Sequence, residues 1–475
     1  MNRRKFLAVS AALAAPSMLL SNRAVASSRV LWEDQPVSET QLAALLQSWL
    51  DAFNADNATS YRAFITRYLP DGLPYIDDDL AVRDVSGGLQ LLRSELTAAN
   101  QITGWVKDRS WDRFSRVILT AKDAEHLSDI EFRGAPVPTT FSVARLSEQS
   151  ALSTFKSKLR TEAEAGRFSG AVLIAKKDHV LFQQGFGMAD LADKIPATPQ
   201  TRFCIGSMGK MFTAVAILQL VQRNKIALGD TIAKYLPDYP NASLAKKVTI
   251  EQLLAHTGGT GDIFGPKYDG HNAEFGSPGK FIALYGTREL TFEPGSKWYY
   301  SNYGYVLLGA ILERVTGQPF NTYYTENIFS VAGMHSTSQM ASPGDKSAIP
   351  YTGAVATGLK PVQPYYGTPA GGGYSTVNDF FAFAHAIQSN RLLDAKHTSL
   401  LTTGKVDTGN GLYSLGLAVS TRNGVPCYGH GGSAPGVNGD LTIYPQSGYV
   451  TAILCNRGYP LALNAAGYIG ARLPA

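Results

Sequence analysis

Residues 203–222 read FCIGSMGKMFTAVAILQLVQ, and the rest of the chain is best read outward from them. From Met211 to Val221 only Thr213 and Gln219 interrupt an apolar run. That pattern predicts a helix buried nearly all round rather than along one stripe. At its start stands Ser207-Met208-Gly209-Lys210, of the form S-x-x-K, with Lys210 one turn after Ser207 on the same face. A serine hydroxyl is a poor nucleophile until a neighbouring base takes its proton. An ammonium buried beside the positive end of a helix loses proton affinity and can become that base. The same form occurs at Ser153–Lys156, Ser243–Lys246 and Ser277–Lys280, but only Ser207 leads into a long apolar helix.

Two further constellations carry chemistry. Tyr300-Ser301-Asn302 lies in PGSKWYYSNYGYVLLGAILERVTG (294–317), after a Pro294-Gly295 turn and at the entry to a helix containing Leu307, Leu308 and Ile311. A tyrosine beside a cationic lysine can be stabilised as phenolate and share acid–base work. Asn302 offers an amide to hold the lysine or a substrate carbonyl. A second Y-x-N, Tyr239–Asn241, has a proline in its middle and loop-like surroundings. The third constellation is Gly429-His430-Gly431-Gly432-Ser433. Its glycines let substrate approach the backbone of an edge strand, and the N–H that follows can point at a developing oxyanion. His430 is read as a group that binds an anion or orients a leaving group. His256-Thr257-Gly258-Gly259 ends a helix-like stretch and reads as a helix stop. Gly206 and Ile205 precede Ser207, so the G-x-S-x-G elbow is missing. H-E-x-x-H, a Walker loop and a dinucleotide fingerprint are also missing, so no metal and no cofactor is expected.

Composition sets the frame. With 475 residues and 44% hydrophobic content, two domains with real cores are expected, one of them large. Cys204, Cys427 and Cys455 lie far apart and fit neither a disulfide framework nor zinc-ligand spacing. The net charge of +5 hints at an anionic partner, but residues 1–26 hold Arg3, Arg4, Lys5 and Arg23 and no acid. The excess is therefore mostly local, and no nucleic-acid or membrane partner is expected. Those first residues, MNRRKFLAVSAALAAPSMLLSNRAVA, combine a basic start, an apolar stretch and Ala24-Val25-Ala26, the pattern of a cleaved export signal. R-R-K-F-L resembles the twin-arginine type. The apolar stretch is shorter than the roughly 20 residues that span a bilayer, so a periplasmic or secreted protein without a stable membrane anchor is expected.

Residues 27–140 read as an α+β accessory unit. Ser38-Glu39-Thr40-Gln41 has the capping-box form, and Leu42, Leu45, Leu46, Trp49, Leu50 and Phe53 follow at helical spacing. A second helix is predicted over 60–69, and strands near 105–109, 114–120 and 127–132. In pattern this unit is similar to the cone-shaped nuclear-transport-factor-like domains, and it is read as an accessory domain or a means of forming a homodimer. Residues 141–475 read as the second domain, with a helix over 147–165 and strands over 170–176 and 180–185. Strands over 441–444 and 449–454 lie at its far end, joined by a turn at 445–448. Strands from both ends around a helical middle predict one antiparallel sheet closed by the domain's two termini.

The order S-x-x-K, Y-S-N, H-G-G resembles the class C β-lactamase and penicillin-binding-protein superfamily of serine hydrolases. The flanks FCIGSMGK, LLAHTGG, PGSKWYYSNYGY, AGGGYST and GHGGSAPG add to the likeness, which covers about residues 147–475. The resemblance implies an α+β fold, an antiparallel sheet flanked by helices, with an all-α subdomain and the active site between them. It implies Ser207 as acylated nucleophile, Lys210 as its base, Tyr300 as acid–base partner, Asn302 as lysine and substrate contact, and the N–H groups of Ser207 and Ser433 as oxyanion hole. With His430, Gly431 and Gly432 in place of Lys-Thr-Gly, the chain looks more like the esterases and D-amino-acid peptidases. A histidine is mostly neutral at pH 7, whereas the lysine would attract a β-lactam carboxylate. The expected function is exported hydrolysis of a small ester, amide or short peptide through an acyl-enzyme. The alternatives are a true β-lactamase or D,D-peptidase and a catalytically inactive binder of cell-wall peptides.

Overall fold

The computed structural model describes residues 37–55, 57–264, 276–339, 347–363 and 366–475. Residues 1–26, read above as an export signal, lie outside the described residues. The described chain divides into two compact units, residues 37–143 with Gly353–Lys360, and residues 144–352 with 361–475.

In the small unit, α1 (Glu39–Asn54) starts at the expected capping box. Gln41 N–H donates to Ser38 Oγ at 3.3 Å, and Ser38 N–H donates to Gln41 Oε1 at 3.0 Å. The face read from the sequence, Leu42 to Phe53, is the face that α1 buries. Helices α2 (Ala58–Tyr68) and α3 (Ile76–Ser86) follow. Strands β1 (Leu89–Ala98), β2 (Gln101–Asp108), β3 (Phe114–Ala121) and β4 (Leu127–Gly134) then pair in sequence order as an antiparallel meander. The return of Gly353–Lys360 to this unit was not expected, since sequence reading gave it to the second domain. Its attachment is physical: Ala354 is buried in the small unit's core, and Val355 N–H donates to Asp84 Oδ2 at 2.6 Å.

The large unit begins with α4 (Glu148–Glu164), β5 (Gly170–Lys176) and β6 (His179–Phe186). Its remaining sheet strands are β7 (Val406–Asp407), β8 (Leu412–Tyr413), β9 (Ala418–Arg422), β10 (Val425–Ala434), β11 (Val437–Ile443) and β12 (Tyr449–Cys455). Together they form an eight-stranded sheet in the order β7-β8-β9-β10-β11-β12-β5-β6. The junction β12–β5, with Cys455 opposite Gly170, joins the two ends of the domain as expected. Every residue of β11 and β12 is buried. A strand buried on both sides needs cover on both faces, and helices Val377–Gln388 and Leu461–Gly470 pack against this part of the sheet.

Between the sheet's two halves the chain is mainly helical. There α5 (Lys210–Gln222) is buried from Lys210 through Leu220, the all-round burial its run of apolar residues predicts. Two more helices matter for the site, α6 (Ile250–Leu254) and α7 (Asn302–Thr316). Among the described residues no helix is long and apolar enough to cross a membrane.

Candidate active site

Ser207 lies in a tight 3-10 turn, Gly206–Gly209, and the α-helix proper begins at Lys210. The turn is pressed between two backbones. Ile205 N–H donates to Gly373 O at 3.1 Å and Gly372 N–H to Gly206 O at 3.0 Å, so the segment 370–373 lies along one side. A β-carbon on Gly371 would sit 3.0 Å from Ser207 Cα, and one on Gly432 would sit 1.9 Å from Ile205 O. Only glycine allows so close an approach from both sides. The β9–β10 ladder ends at Ala418–Gly429, which leaves the β10 edge from His430 onward unpaired by β9.

Lys210 is fully buried. Its Nζ lies 3.2 Å from Ser207 Oγ, 2.6 Å from Asn302 Oδ1 and 2.5 Å from Ala370 O. Burial pulls its pKa down to about 7, against the opposing charge of Asp262. As an ammonium, Lys210 donates to all three partners. In its neutral form it has two N–H donors and one lone pair; the two short contacts can then accept both N–H groups, which leaves the lone pair for the Ser207 hydroxyl, the arrangement a base needs.

Tyr300 departs from expectation. Lys210 Nζ sits over its ring, 4.7 Å from the centroid, rather than beside its oxygen. When protonated, Lys210 makes a cation–π contact there, with its charge against the ring face and not against a phenolate oxygen. The hydroxyl is buried and forms no hydrogen bond of good geometry among the described residues. Burial raises its pKa well above the usual value, offset only in part by the nearby Ser207 hydroxyl. The side chain is therefore a neutral phenol, a proton donor rather than a phenolate base.

His430 is buried, 5% exposed, and both ring nitrogens are engaged. Nδ1–H donates to Gly431 O at 2.5 Å, and Nε2 accepts from the Tyr413 hydroxyl at 3.0 Å. Burial and then the Lys210 charge lower its pKa to about 4. It carries no charge at pH 7 and faces inward, so the expected anion-binding role has no cation behind it. Gly431 and Ser433 are partly exposed on the open part of β10. Buried Asn438 holds the strand there: its Nδ2 donates to Gly432 O at 2.9 Å, and its Oδ1 accepts Ala462 N–H at 2.6 Å.

Sequence reading missed the loop that holds Tyr300-Ser301-Asn302. His256 ends α6 in the left-handed region, φ +58°, which is the expected helix stop. Its ring also packs at a tilt against that of Tyr300, with centroids 4.3 Å apart, and its Nδ1 accepts Ser301 N–H at 3.1 Å. Ser301 caps α7 and donates its own hydroxyl to Gly261 O at 2.5 Å. Asp262 accepts Asn302 N–H at 2.9 Å on Oδ1 and Asn302 Nδ2–H at 3.2 Å on Oδ2. His256, Gly261 and Asp262 thus hold Ser301 and Asn302 through successive hydrogen bonds.

The Beta-lactamase family model matches residues 155–473, and the chain belongs to that family. It is a β-lactamase-related serine hydrolase. The protein PbpX of Bacillus subtilis (strain 168) is 30% identical over 297 residues, covering 60% of this chain and 70% of PbpX. The crystal structure of a penicillin binding protein from Bacillus halodurans has 28% identity and a TM-score of 0.59, covering 68% of this chain and 98% of that one. A D-stereospecific amidohydrolase from Streptomyces sp. has 25% identity and a TM-score of 0.56, covering 66% and 98%. The family match begins at residue 155 and so does not include residues 37–143 of the small unit.

Proposed function

We propose that this protein is an exported hydrolase that cleaves small esters or amides through an acyl-enzyme on Ser207. The observation that carries the reading is the fully buried Lys210 Nζ, 3.2 Å from Ser207 Oγ and within hydrogen-bond distance of both Asn302 Oδ1 and Ala370 O. Lys210 takes the serine proton as Oγ attacks the carbonyl. The tetrahedral oxygen is stabilised by the N–H groups of Ser207 and Ser433. The proton that Lys210 took passes on to the leaving alcohol or amine, relayed through the neutral Tyr300 hydroxyl, which gives up one proton as it receives another, and water then releases the acid by the same path in reverse.

Neutral His430 favours esters and amides without a carboxylate beside the scissile bond over β-lactams, and likeness to the D-stereospecific amidohydrolase adds D-amino-acid amides to the candidates. The test is a fluorophosphonate probe followed by intact and peptide mass spectrometry, with turnover of p-nitrophenyl acetate, D-phenylalanine amide and nitrocefin in parallel. Mass gained on Ser207, with ester or amide turnover well above nitrocefin turnover, is the expected result. An unlabelled protein would instead be a binder of cell-wall peptides, and nitrocefin turnover matching the ester rate would make it a β-lactamase.

His430→Lys should not create a β-lactamase. The new ammonium would share a dry site with Lys210 and take away the acceptor of the Tyr413 hydroxyl. An unsatisfied buried group costs roughly 1–3 kcal/mol, about tenfold or more in rate where it distorts the site. Ester turnover should fall by that factor with no gain on nitrocefin, and a tenfold gain on nitrocefin would contradict the placement of His430.

A further inference from the structure

We propose that Asp262 is a positioning residue that fixes which way the Asn302 amide faces, and through it the direction in which Lys210 presents its lone pair. The inference rests on the hydrolase reading above and assigns a role to a side chain that touches neither Ser207 nor the reacting carbonyl.

The argument is one of donors and acceptors. An asparagine amide can turn over at little intrinsic cost, exchanging its oxygen and nitrogen. With Oδ1 toward Lys210 it accepts an N–H and leaves the lone pair for Ser207. With Nδ2 toward Lys210 it would donate into that lone pair and take it from the nucleophile. Asp262 selects between the two. Its carboxylate only accepts, and Oδ2 lies 3.2 Å from Asn302 Nδ2, so the nitrogen is held on the Asp262 side and the oxygen is left for Lys210, 2.6 Å away. The other oxygen accepts Asn302 N–H at 2.9 Å, which fixes the carboxylate on the first residue of α7.

Other groups around Lys210 cannot stand in for it. The rings of Tyr300 and Tyr305 present their faces, at 4.7 and 5.5 Å. His256 and His430 also face the lysine, and burial keeps both neutral at pH 7. Asp262 is thus the carboxylate whose charge opposes the effect of burial on Lys210. An asparagine at 262 would offer an N–H where an acceptor stood, which favours the wrong face of Asn302.

The test follows the rate of fluorophosphonate labelling at Ser207 in the full chain from pH 5 to 9. Wild type is compared with Asp262→Asn, Asn302→Ala and the double variant. Asp262→Asn should label about 10- to 100-fold more slowly, the size of loss seen when a group that orients a metal ligand is removed. The midpoint of its rise with pH should move toward acid, because the charge favouring the ammonium is gone. In the Asn302→Ala background the same change should alter the rate far less, since both act through one amide. Asp262→Glu, which keeps the charge but displaces its oxygens, should label slowly with an unmoved midpoint, and it carries the test if Asp262→Asn does not fold. An unchanged rate and midpoint in Asp262→Asn, or equal slowing with and without Asn302, overturns the inference. So does wild-type labelling by Asp262→Glu. A wild type that takes no label sinks the hydrolase reading itself, a visibly different failure.

Discussion

Ser207→Ala should lower kcat/KM on p-nitrophenyl acetate by roughly three to six orders of magnitude, the range seen when the nucleophile of such a catalytic unit is removed. On the proposed mechanism the variant loses the atom that carries the acyl group, whereas the proposed oxyanion N–H groups remain. Its fold should survive. Ser207 contributes a small side chain to a turn held by backbone bonds to residues 372 and 373, and the lost oxygen leaves only a modest void. The measurement therefore pairs turnover and probe labelling with thermal unfolding. An unchanged melting curve with no label and no turnover is expected, and near-wild-type turnover would remove Ser207 from the mechanism.

Lys210→Met is expected to have the second largest effect, a loss of about 10²- to 10⁴-fold, the contribution of a positioned base. Methionine has nearly the length of lysine and suits a buried helix start, so packing is mostly kept. Asn302 Oδ1 and Ala370 O lose their donor, and the Ser207 proton has nowhere to go. The pH profile gives a second readout. A protonated lysine cannot accept, so wild-type kcat/KM should rise with pH and level off above about 7, the value to which burial lowers Lys210. In Lys210→Met that rise should vanish along with the rate. If a rise centred near the same pH persisted in the variant, another group would be the base.

The fold was legible where local pattern is strong. The apolar run after Ser207 and the capping box at Ser38 announce themselves within a few residues, and so do the strands near the C-terminus, although they are buried on both faces instead of alternating. β1 did not, because after Leu89 its residues are half or fully exposed, and Leu92 and Leu96 lie at 45% and 42% exposure. No apolar alternation marks such a strand, which is held by its ladder to β2 instead. In the site, spacing could pair Ser207 with Lys210 because one helical turn joins them. It could not find Asp262, whose role arises from contacts with Asn302 across 40 residues of chain. The only local sign was an acid closing the glycine-rich run Thr257 to Gly261. Nor could spacing tell that Lys210 would lie over the face of Tyr300, which exchanges a phenolate for a phenol. His430 was seen as a residue on an edge strand, but the hydroxyl of Tyr413 that turns it inward belongs to β8.

The buried Lys210 also ties folding to proton release. In the unfolded chain a lysine titrates near 10.4, and in the native protein burial brings Lys210 down to about 7. Between these values the unfolded chain holds a proton that the native state lacks, so folding expels it. By linkage the contribution of this residue to stability rises with pH across that window. Below the native value both states are protonated and the whole cost of confining an ammonium is felt. Above the unfolded value both are neutral and that cost is gone. The native state thus bears its greatest burden from Lys210 in mildly acid solution, where the lysine is also idle as a base, and alkalinity relieves the one as it switches on the other.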